Sequence, residues 1–170
     1  MLEIGRGNRP VPFSQRYRRD PVLVPRNLRF DVDERIDARG HVVVALNESE
    51  LEEIAERLRA LGVEAVAVAF LNSYINSAHE QRAVEVLREC LPSAYITAGT
   101  ALSREWYEYE RTSTAAANAY VGPKMRHYVD AFDARLRQRA FEGTFYMMGS
   151  GGGVLSTERS ISEPVALVES

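Results

Sequence analysis

Hydrophobic and polar residues alternate along the first part of the chain in a pattern that predicts a β-hairpin. Residues 28–32 alternate with a period of two, and residues 41–46 are rich in β-branched side chains. The Asp-Ala-Arg-Gly sequence at residues 37–40 supplies turn chemistry between them. We therefore expect a hairpin over residues 28–46. We expect an extended arm at residues 1–27, where four of the seven prolines remove backbone donors.

The next part of the chain contains two helix patterns. Ser49 and Glu52 have the spacing of a capping box, and Ser77 and Glu80 repeat it, so each pair predicts the first turn of a helix. Gly62 follows the first pattern and is typical of a helix C-terminus. The apolar stripes at helical spacing are Leu51, Ile54, Ala55, Leu58 and Leu61, then Ala83, Val84, Leu87, Cys90 and Leu91.

Each of these helix patterns is followed by an apolar run of strand length. Residues 63–71 are almost continuously apolar, as expected for a strand buried on both faces, and residues 94–98 predict a second strand. The order helix, strand, helix, strand over residues 49–98 predicts parallel strands. We therefore expect an α/β fold with a mixed, mostly parallel sheet and flanking helices.

The second half of the chain predicts two helix segments, a strand and a glycine turn. Ser103 is the expected N-cap of the first segment, and the Gly-Pro pair at residues 122–123 is expected to break or kink the helix. Residues 144–148 predict a strand that leads directly into the glycines of residues 149–153. The apolar face expected beyond the break consists of Met125, Tyr128, Val129, Phe132 and Leu136.

Composition narrows the class of protein. A chain of 170 residues that is 45% hydrophobic can form one domain with a core, or parts of two. No apolar run has the length of a membrane span, and the single cysteine, Cys90, excludes an internal disulfide. We expect a cytoplasmic protein with no membrane partner, because one unpaired cysteine fits a reducing compartment. Cys90 lies in a helix pattern and is interpreted as a small core residue.

The net charge of -3 conceals a basic N-terminal segment. Residues 1–29 carry seven Arg against only two acidic residues, Glu3 and Asp20. Such a segment could bind an anion, a nucleic acid or an acidic partner segment. Since no aromatic interleaving or nucleic-acid motif accompanies these arginines, we interpret them as a solvated arm and expect no nucleic-acid partner.

Two local features carry candidate binding chemistry. The glycines of residues 149–153 could place backbone N–H groups around an anion, although a tight turn at a strand exit explains the same residues. His79 lies in the first turn of a predicted helix, where the helix dipole favours its neutral form and suits a base or a ligand. No partners at metal-ligand spacing accompany His79, so we expect no metal site.

A polar cluster precedes the alanine-rich part of the long helix pattern. Glu108 and Arg111 are spaced by three residues and fit ordinary pairing on a helix surface. Asn118 lies among alanines, and a buried amide must find hydrogen-bond partners. We predict that Asn118 makes a polar contact with a neighbouring domain or loop.

Six blocks of the sequence resemble one known family, in that family's order. The blocks are residues 2–10 (LEIGRGNRP), 32–36 (VDERI), 67–80 (AVAFLNSYINSAHE), 109–120 (YERTSTAAANAY), 148–154 (MGSGGGV) and 163–165 (EPV). They are similar to the hydantoinase A and 5-oxoprolinase family, which includes the acetone carboxylase beta subunit. One block departs from the family pattern, which commonly has Gln and then Asn or Asp where this chain has Gly149 and Gly151.

The resemblance implies an actin, Hsp70 and sugar-kinase-like fold of the ribonuclease H-like class, in which ATP and magnesium lie between two α/β domains. It implies an ATP-dependent hydrolase or carboxylase subunit that acts on cyclic amides, such as 5-oxoproline or hydantoin, or on ketones. A hydantoinase B-type partner subunit is also implied. Residues 1–98 would then be the end of the family's N-terminal domain, and residues 99–170 the start of the hydantoinase A domain.

The same resemblance implies an interior fragment with an incomplete ATP site, which we expect to be inactive alone. A non-catalytic α/β scaffold or interaction module, from a truncated or degenerate family member, is the alternative. A sugar kinase of the same structural class is a third possibility. No catalytic residue is assigned. The expected substrate or nucleotide contacts are Arg6, Arg9, Asn76, His79, Arg111, Ser150, Gly151, Gly152 and Gly153.

Overall fold

The described part of the chain is built from helices and short strands in an α/β order. The computed structural model describes residues 21–168, Leu2, Phe13, Ser14 and Arg16. Arg6 and Arg9 lie outside the described residues. In chain order the elements are β1 (Arg35–Ile36), β2 (Val42–Val44), α1 (Glu48–Ala60), β3 (Ala65–Val68), α2 (Ala78–Cys90), β4 (Tyr95–Ala98), α3 (Gly99–Leu102), α4 (Glu108–Gln138), β5 (Met147–Met148), β6 (Val154–Leu155) and α5 (Thr157–Ser162), with 3-10 helices at Arg26–Leu28 and Pro164–Leu167.

The hairpin is present, but its first strand begins later than predicted. β1 pairs with β2 in antiparallel register, whereas residues 29–34 form no strand. The alternation at residues 28–32 has another cause, because Phe30 and Val32 pack against the hydrophobic core. The turn is formed as expected. The Asp37 carboxylate accepts hydrogen bonds from the N–H groups of His41 and Arg39, and these bonds lower the pKa of Asp37.

α1 has the predicted face and C-terminus, but a different N-cap. The Asn47 side chain accepts from the Glu50 N–H at 3.3 Å, so the capping box predicted at Ser49 is not formed. The Ser49 hydroxyl instead donates to the Asn47 side chain at 2.8 Å. Gly62 follows the helix with a φ of 66°, as its position predicts. Leu61 is 58% exposed and does not belong to the buried stripe.

The parallel pair β3–β4 lies between helices on its two faces. Because side chains alternate along a strand, Tyr95 and Thr97 point to α4, where both contact Asn118. Ile96 and Ala98 point to the opposite face and join the hydrophobic core with α1 and α2. The predicted helix–strand–helix–strand unit is therefore confirmed. Its buried core is Leu51, Ile54, Ala55, Leu58, Val68, Ala83, Val84, Val86, Leu87, Leu91, Ile96 and Ala98.

The α/β class is confirmed, but the sheet prediction is right only in part. In the described part of the chain the strands form three separate two-stranded sheets. β3–β4 is parallel, whereas β1–β2 and β5–β6 are antiparallel, so the strands are not mostly parallel. The two antiparallel pairs are local hairpins, which need no crossover helix. The ribonuclease H-like class stays a prediction.

α4 is one continuous helix of 31 residues, so a break at residues 122–123 is wrong, whereas the alternative of a kink stays a prediction. Pro123 lies inside the helix, and Gly122 is buried against the Tyr95 ring, where a Cβ atom would come within 2.4 Å of the ring. Gly122 thus serves close packing on β4, and this packing offsets the hydrogen bond that Pro123 removes. The N-cap predicted at Ser103 is also wrong, because Ser103 lies in the segment between α3 and α4.

The C-terminal half of α4 is more exposed than its apolar pattern predicts. Val129 is buried, but Tyr128 and Phe132 are 56% and 40% exposed. Their rings stack on each other, and the Phe132 ring also meets Phe145 edge-on at 5.0 Å. Charged residues interrupt the apolar positions of α4, and no helix in the described part of the chain is long and apolar enough to cross a membrane.

Candidate functional site

The loop after β3, residues 69–77, leaves the parallel pair at its carboxyl edge, where α/β proteins bind ligands. Asn72 in this loop has a positive φ of 57°. Its side chain donates to the Ile36 carbonyl at 2.8 Å, and its N–H donates to the Glu108 carboxylate at 3.0 Å. The loop is therefore held between the β1–β2 hairpin and the first turn of α4.

Asn76 and His79, two predicted ligand contacts, lie at the end of this loop and the start of α2. The Asn76 amide donates to the Gly40 carbonyl at 2.9 Å, and its oxygen accepts from the Ala78 N–H at 3.1 Å. His79 Nδ1 lies 2.8 Å from the Glu34 carboxylate, and both of these side chains are buried. Both predicted contacts thus have partners within the chain, and their ligand roles stay predictions.

Glu80 is a fully buried carboxylate, and the capping box predicted for it is not formed. Its Oε1 accepts from the Phe70 N–H at 2.9 Å and lies 2.7 Å from the Ser73 hydroxyl. Its Oε2 accepts from the N–H and the hydroxyl of Thr100 at 2.9 and 2.7 Å. These contacts provide the polar environment that a buried carboxylate requires. Glu80 therefore connects the loop after β3 to α3, which follows β4.

Arg111 contacts the same loop from α4. Its Nη1 donates to the Glu105 carbonyl at 2.9 Å, while its Nη2 donates to the Phe70 carbonyl at 2.9 Å and pairs with the Glu108 carboxylate. The pairing expected for Glu108 and Arg111 is therefore formed, but its expected place on the helix surface is wrong, because Arg111 is only 1% exposed. Gly99 leaves room for this side chain, since a Cβ atom there would lie 3.2 Å from Arg111 Cγ.

One nitrogen of the Arg111 guanidinium makes no hydrogen bond with the described residues. Its Nε finds no hydrogen-bond partner among the described residues, although the side chain is buried. The ring of Tyr74 lies beneath the guanidinium, with 5.7 Å between the guanidinium carbon and the ring centroid. The carbonyl and carboxylate partners of the other nitrogens hold the group in one orientation. The role of Arg111 as a ligand contact stays a prediction.

The glycine hairpin, residues 147–155, is the second candidate region. The Gly149 N–H donates to the Gly153 carbonyl at 3.1 Å, and the Gly152 N–H donates to the Gly149 carbonyl at 3.0 Å. Gly152 and Gly153 have φ values of 86° and 80°, which favour glycine. The Ser150 N–H donates to the Ala166 carbonyl at 3.0 Å. The tight-turn interpretation of these glycines is therefore confirmed.

The exposed turn of this hairpin keeps some donors available. Within the described residues, the N–H groups of Gly151 and Gly153 and the Ser150 hydroxyl make no hydrogen bond. A Cβ atom at Gly151 or Gly153 would meet nothing within 4 Å, so the surrounding space is open. These groups could contact an anion, but the Gly152 N–H between them is already used within the turn.

Asn118 connects α4 to the C-terminal segment, as its position among alanines predicts. Its Oδ1 accepts from the Val165 N–H at 3.1 Å. Its Nδ2 lies within hydrogen-bond distance of three acceptors, the Ser162 carbonyl at 3.0 Å and the hydroxyl oxygens of Tyr95 and Thr97 at 3.0 and 3.2 Å. The predicted polar contact with a neighbouring loop is confirmed.

Tyr95 lies beside Asn118 and contacts the same segment. Its hydroxyl lies 2.9 and 2.8 Å from the carbonyl oxygens of Ile161 and Ser162. Burial raises the pKa of Tyr95, and the hydrogen bond from Asn118 opposes that rise. The hydroxyl therefore stays protonated at neutral pH and can keep donating to these carbonyls.

The structure brings some predicted site residues together and separates others. Asn76, His79 and Arg111 all lie around the loop after β3, whereas residues 150–153 belong to the glycine hairpin. No hydrogen bond or ion pair between described residues joins these two sets. Two grooves, of about 920 and 700 Å³, border β4 and are lined by other residues. Among the described residues, no group of three or more His, Cys, Asp or Glu could hold a metal ion.

The main residues that sequence reasoning missed are Glu80 and the buried role of Arg111, although their helical positions carried a signal. Glu80 falls on the stripe that continues through Ala83, Val84 and Leu87, and it is buried with them. Arg111 precedes the buried small residues Ala115, Asn118, Ala119 and Gly122 at the same helical spacing. A charged residue on a buried stripe predicts a buried, paired charge.

Two family models match the chain. The model of the hydantoinase/oxoprolinase N-terminal region matches residues 1–91, which is more than half of the sequence. The chain belongs to the hydantoinase/oxoprolinase family. A second model, described as hydantoinase/oxoprolinase, matches residues 111–170. The family resemblance of the six sequence blocks is therefore confirmed.

Relatives of known sequence share this family pattern. An uncharacterized protein of Methanocaldococcus jannaschii is 36% identical over 170 residues, which is 100% of this chain and 25% of that protein. Caprolactamase subunit alpha of Pseudomonas jessenii is 35% identical over 145 residues, which is 83% of this chain and 21% of that subunit. The chain thus spans about a quarter or less of the length of these relatives.

Solved structures of family members superpose on the chain. The crystal structure of the ATP-dependent caprolactamase from Pseudomonas jessenii has a TM-score of 0.79 at 32% identity, covering 85% of this chain and 21% of that chain. A nucleotide-free structure of acetone carboxylase, an enzyme of ATP-dependent acetone carboxylation, has a TM-score of 0.75 at 26% identity. It covers 88% of this chain and 22% of that chain. Two ATP-dependent enzymes therefore share this part of the fold.

Proposed function

We propose that this chain works as part of an enzyme that uses ATP to open a cyclic amide or to carboxylate a ketone. The observation that carries the proposal is the likeness to the ATP-dependent caprolactamase, at 32% identity and a TM-score of 0.79. Likeness in both sequence and fold supports a shared type of chemistry more strongly than fold alone. The substrate is then a small molecule with a carbonyl or amide oxygen.

The proposed ligand contacts are the predicted residues on the two loops and on the N-terminal arm. The carboxyl edge of β3–β4 supports roles for Asn76, His79 and Arg111, because α/β proteins bind ligands at such edges. The free N–H groups of the glycine hairpin support contact with an oxyanion or a phosphate. Arg6 and Arg9 remain proposed contacts, and both lie outside the described residues.

ATP and magnesium would need further groups beyond those of the described residues. The turn at residues 150–153 offers donors to a phosphate, but the described residues include no acidic cluster that could hold magnesium. The Arg111 guanidinium is directed at carbonyl and carboxylate groups of the chain itself. We therefore propose that a complete nucleotide site is formed with other parts of a longer polypeptide, and that the 170-residue chain is inactive alone.

The proposed organisation has two parts and at least one partner. We place the end of an N-terminal domain at residues 1–98 and the start of a hydantoinase A domain at residues 99–170. The two family models support this division, since they match residues 1–91 and 111–170. The relatives include a caprolactamase subunit alpha and an acetone carboxylase beta subunit. Because both names denote subunits, they support the presence of a partner subunit. We further propose that this partner is of the hydantoinase B type and that the complex is cytoplasmic.

Phosphate release by the full-length enzyme with its partner subunit tests the proposed function. We expect release from magnesium-ATP to be stimulated by one of 5-oxoproline, hydantoin, caprolactam or acetone. His79→Asn and Ser150→Ala should each lower stimulated release by about tenfold, the effect of losing about one hydrogen bond to a ligand. The controls are His41→Asn and Ser93→Ala, which change exposed residues outside the proposed contacts.

A non-catalytic scaffold is the second candidate function. The observation in its favour is that polar atoms of Asn76, His79 and Arg111 already contact other groups of the same chain. A scaffold would show no phosphate release with any of the four compounds, yet it would still copurify with the partner subunit. If stimulated phosphate release is unchanged by His79→Asn and Ser150→Ala, the proposed enzyme activity stands, but these two residues are not ligand contacts.

A further inference from the structure

We propose that Asn118 and Tyr95 are positioning residues for the turn of the glycine hairpin, given the ligand-contact role proposed above for residues 150–153. The two side chains lie on α4 and β4, far from the hairpin in sequence. They act through the segment at residues 161–167, which contains the end of α5 and the second 3-10 helix. The connection consists of two sets of hydrogen bonds with this segment between them.

The first set joins the two side chains to the segment. Asn118 accepts from the Val165 N–H at 3.1 Å and donates to the Ser162 carbonyl at 3.0 Å, so it contacts both sides of the turn between α5 and the 3-10 helix. The Tyr95 hydroxyl lies 2.9 and 2.8 Å from the Ile161 and Ser162 carbonyls. Asn118 is 0% exposed and Tyr95 is 4% exposed, so water cannot easily replace these bonds.

The second set joins the segment to the hairpin. The Ala166 carbonyl accepts from the Ser150 N–H at 3.0 Å. Among the described residues, this is the one backbone hydrogen bond that connects residues 149–153 to a segment outside the hairpin. Pro164, next to Val165, is fully buried and limits the backbone freedom of the segment. The position of Ala166 therefore sets the position of Ser150 and of the free donors beside it.

Thr97 provides a matched control on the same face of β4. Its hydroxyl lies 3.2 Å from Asn118 Nδ2, and the described residues show no hydrogen bond between Thr97 and residues 161–167. Thr97→Val removes this contact but leaves Asn118 its bonds to Ser162 and Val165. Tyr95→Phe removes the hydroxyl that faces the segment while keeping the ring against Gly122. Both variants remove a buried hydroxyl, but only Tyr95→Phe removes contacts with residues 161–167.

Amide hydrogen exchange of the full chain, followed by NMR, measures the connection directly. We expect the Ser150 amide to exchange about tenfold faster in Tyr95→Phe and in Asn118→Ala, the effect of weakening about one hydrogen bond. In Thr97→Val the Ser150 rate should stay within about twofold of the original rate. A Ser150 rate in Tyr95→Phe equal to that in Thr97→Val would overturn the proposal, even if Asn118→Ala fails to fold.

Kinetics of the full-length enzyme then test the consequence for ligand binding. We expect Tyr95→Phe to raise the KM for ATP or for the cyclic substrate by about tenfold with kcat within about twofold, because a displaced turn weakens binding. Thr97→Val should leave both KM values unchanged. Unchanged KM values in Tyr95→Phe would overturn the positioning role. If the unsubstituted enzyme shows no ATP-dependent turnover, the proposed function is wrong. The Ser150 exchange rates would still test whether Tyr95 and Asn118 position the glycine hairpin.

Discussion

The loop after β3 and the glycine hairpin both follow a strand, but the chain holds them in different ways. The loop after β3 is fixed by two buried side chains, Glu80 and Arg111. The Glu80 carboxylate accepts from the Phe70 N–H, and the Arg111 guanidinium donates to the Phe70 carbonyl. The glycine hairpin uses backbone bonds within its turn and one bond to Ala166. The first region therefore depends on particular side chains. The second depends on its backbone conformation and, through residues 161–167, on the side-chain amide of Asn118.

This difference suggests a division of roles between the two regions. A buried charge that loses its partner is costly, so the loop after β3 should tolerate little movement. An exposed turn with few contacts to its surroundings opens at low free energy. The hairpin is thus suited to adjust to a ligand, whereas the loop after β3 is suited to carry fixed groups. Changes in each region should therefore affect stability by different amounts.

Glu80→Gln should have the largest effect on stability. The glutamine NH2 group would face either the Phe70 N–H or the Thr100 N–H, so at least one buried donor loses its acceptor. We expect the free energy of unfolding to fall by about 3 kcal/mol, measured by urea denaturation. Glu85→Gln is the control, because Glu85 is exposed on the same helix, and it should change stability by less than about 0.5 kcal/mol. Equal effects of the two changes would contradict the role of Glu80.

Arg111→Lys should destabilise the loop after β3 to a smaller extent. Lysine keeps the charge but cannot contact the Glu105 and Phe70 carbonyls with a fixed guanidinium geometry. We expect a loss of about 2 kcal/mol in the same denaturation experiment. Arg137→Lys, at an exposed position of α4, should cost less than about 0.5 kcal/mol. A loss as small as that of Arg137→Lys would show that the guanidinium contacts contribute little.

Gly152→Ala should test the dependence of the hairpin on backbone conformation. Gly152 has a φ of 86°, which an alanine adopts only with strain. We therefore expect a loss of about 1 kcal/mol in the free energy of unfolding. Gly151→Ala is the control, because Gly151 has no positive φ and a Cβ atom there meets nothing within 4 Å. If both variants were equally stable, positive φ would not be what restricts this turn.

The smallest effect is expected at alkaline pH, through Tyr95. Its pKa is raised in the folded protein, mainly by burial, so the protonated form stabilises the fold. This contribution is fully present below the unfolded-state pKa of about 10, and it is lost as the pH rises through the higher folded-state pKa. Between pH 9 and 11, about the range of tyrosine ionisation, the original chain should lose more stability than Tyr95→Phe. Parallel pH profiles of the two proteins would show that Tyr95 makes no such contribution.

Local patterns predicted much of the fold, and two of the errors have the same cause. The parallel pair β3–β4, the faces of α1 and α2 and the glycine turn follow from periodicity and turn residues over short stretches. The break at residues 122–123 was wrong because Gly122 packs against Tyr95, a residue distant in sequence. The capping box at Ser77 and Glu80 was wrong because Glu80 points toward the core and contacts Thr100. In these two cases a long-range contact overrode a local preference, whereas the N-cap of α1 moved to Asn47 through a local contact with Glu50.

The location of the candidate site could be predicted from the sequence, but the hydrogen-bond partners of its residues could not. The blocks at residues 67–80 and 109–120 contain Asn76, His79 and Arg111, and the structure gathers these residues around one loop. Their partners are Gly40, Glu34 and the backbone of Phe70, which no spacing rule links to them. The sequence therefore indicated where polar groups converge, while their use within the chain became visible only in three dimensions.

The sequence by itself determined the family, the α/β order and the position of both strand-exit loops. Family blocks, helical periodicity and glycine content are local properties, so they can be recognised without coordinates. Tertiary structure decided which polar residues are buried, which helix stays unbroken and which segment holds the glycine turn. These outcomes depend on packing between distant residues, such as Asn118 with Val165 and Ser150 with Ala166. The free energy of such contacts arises only when the elements meet, and no single stretch of the chain contains it.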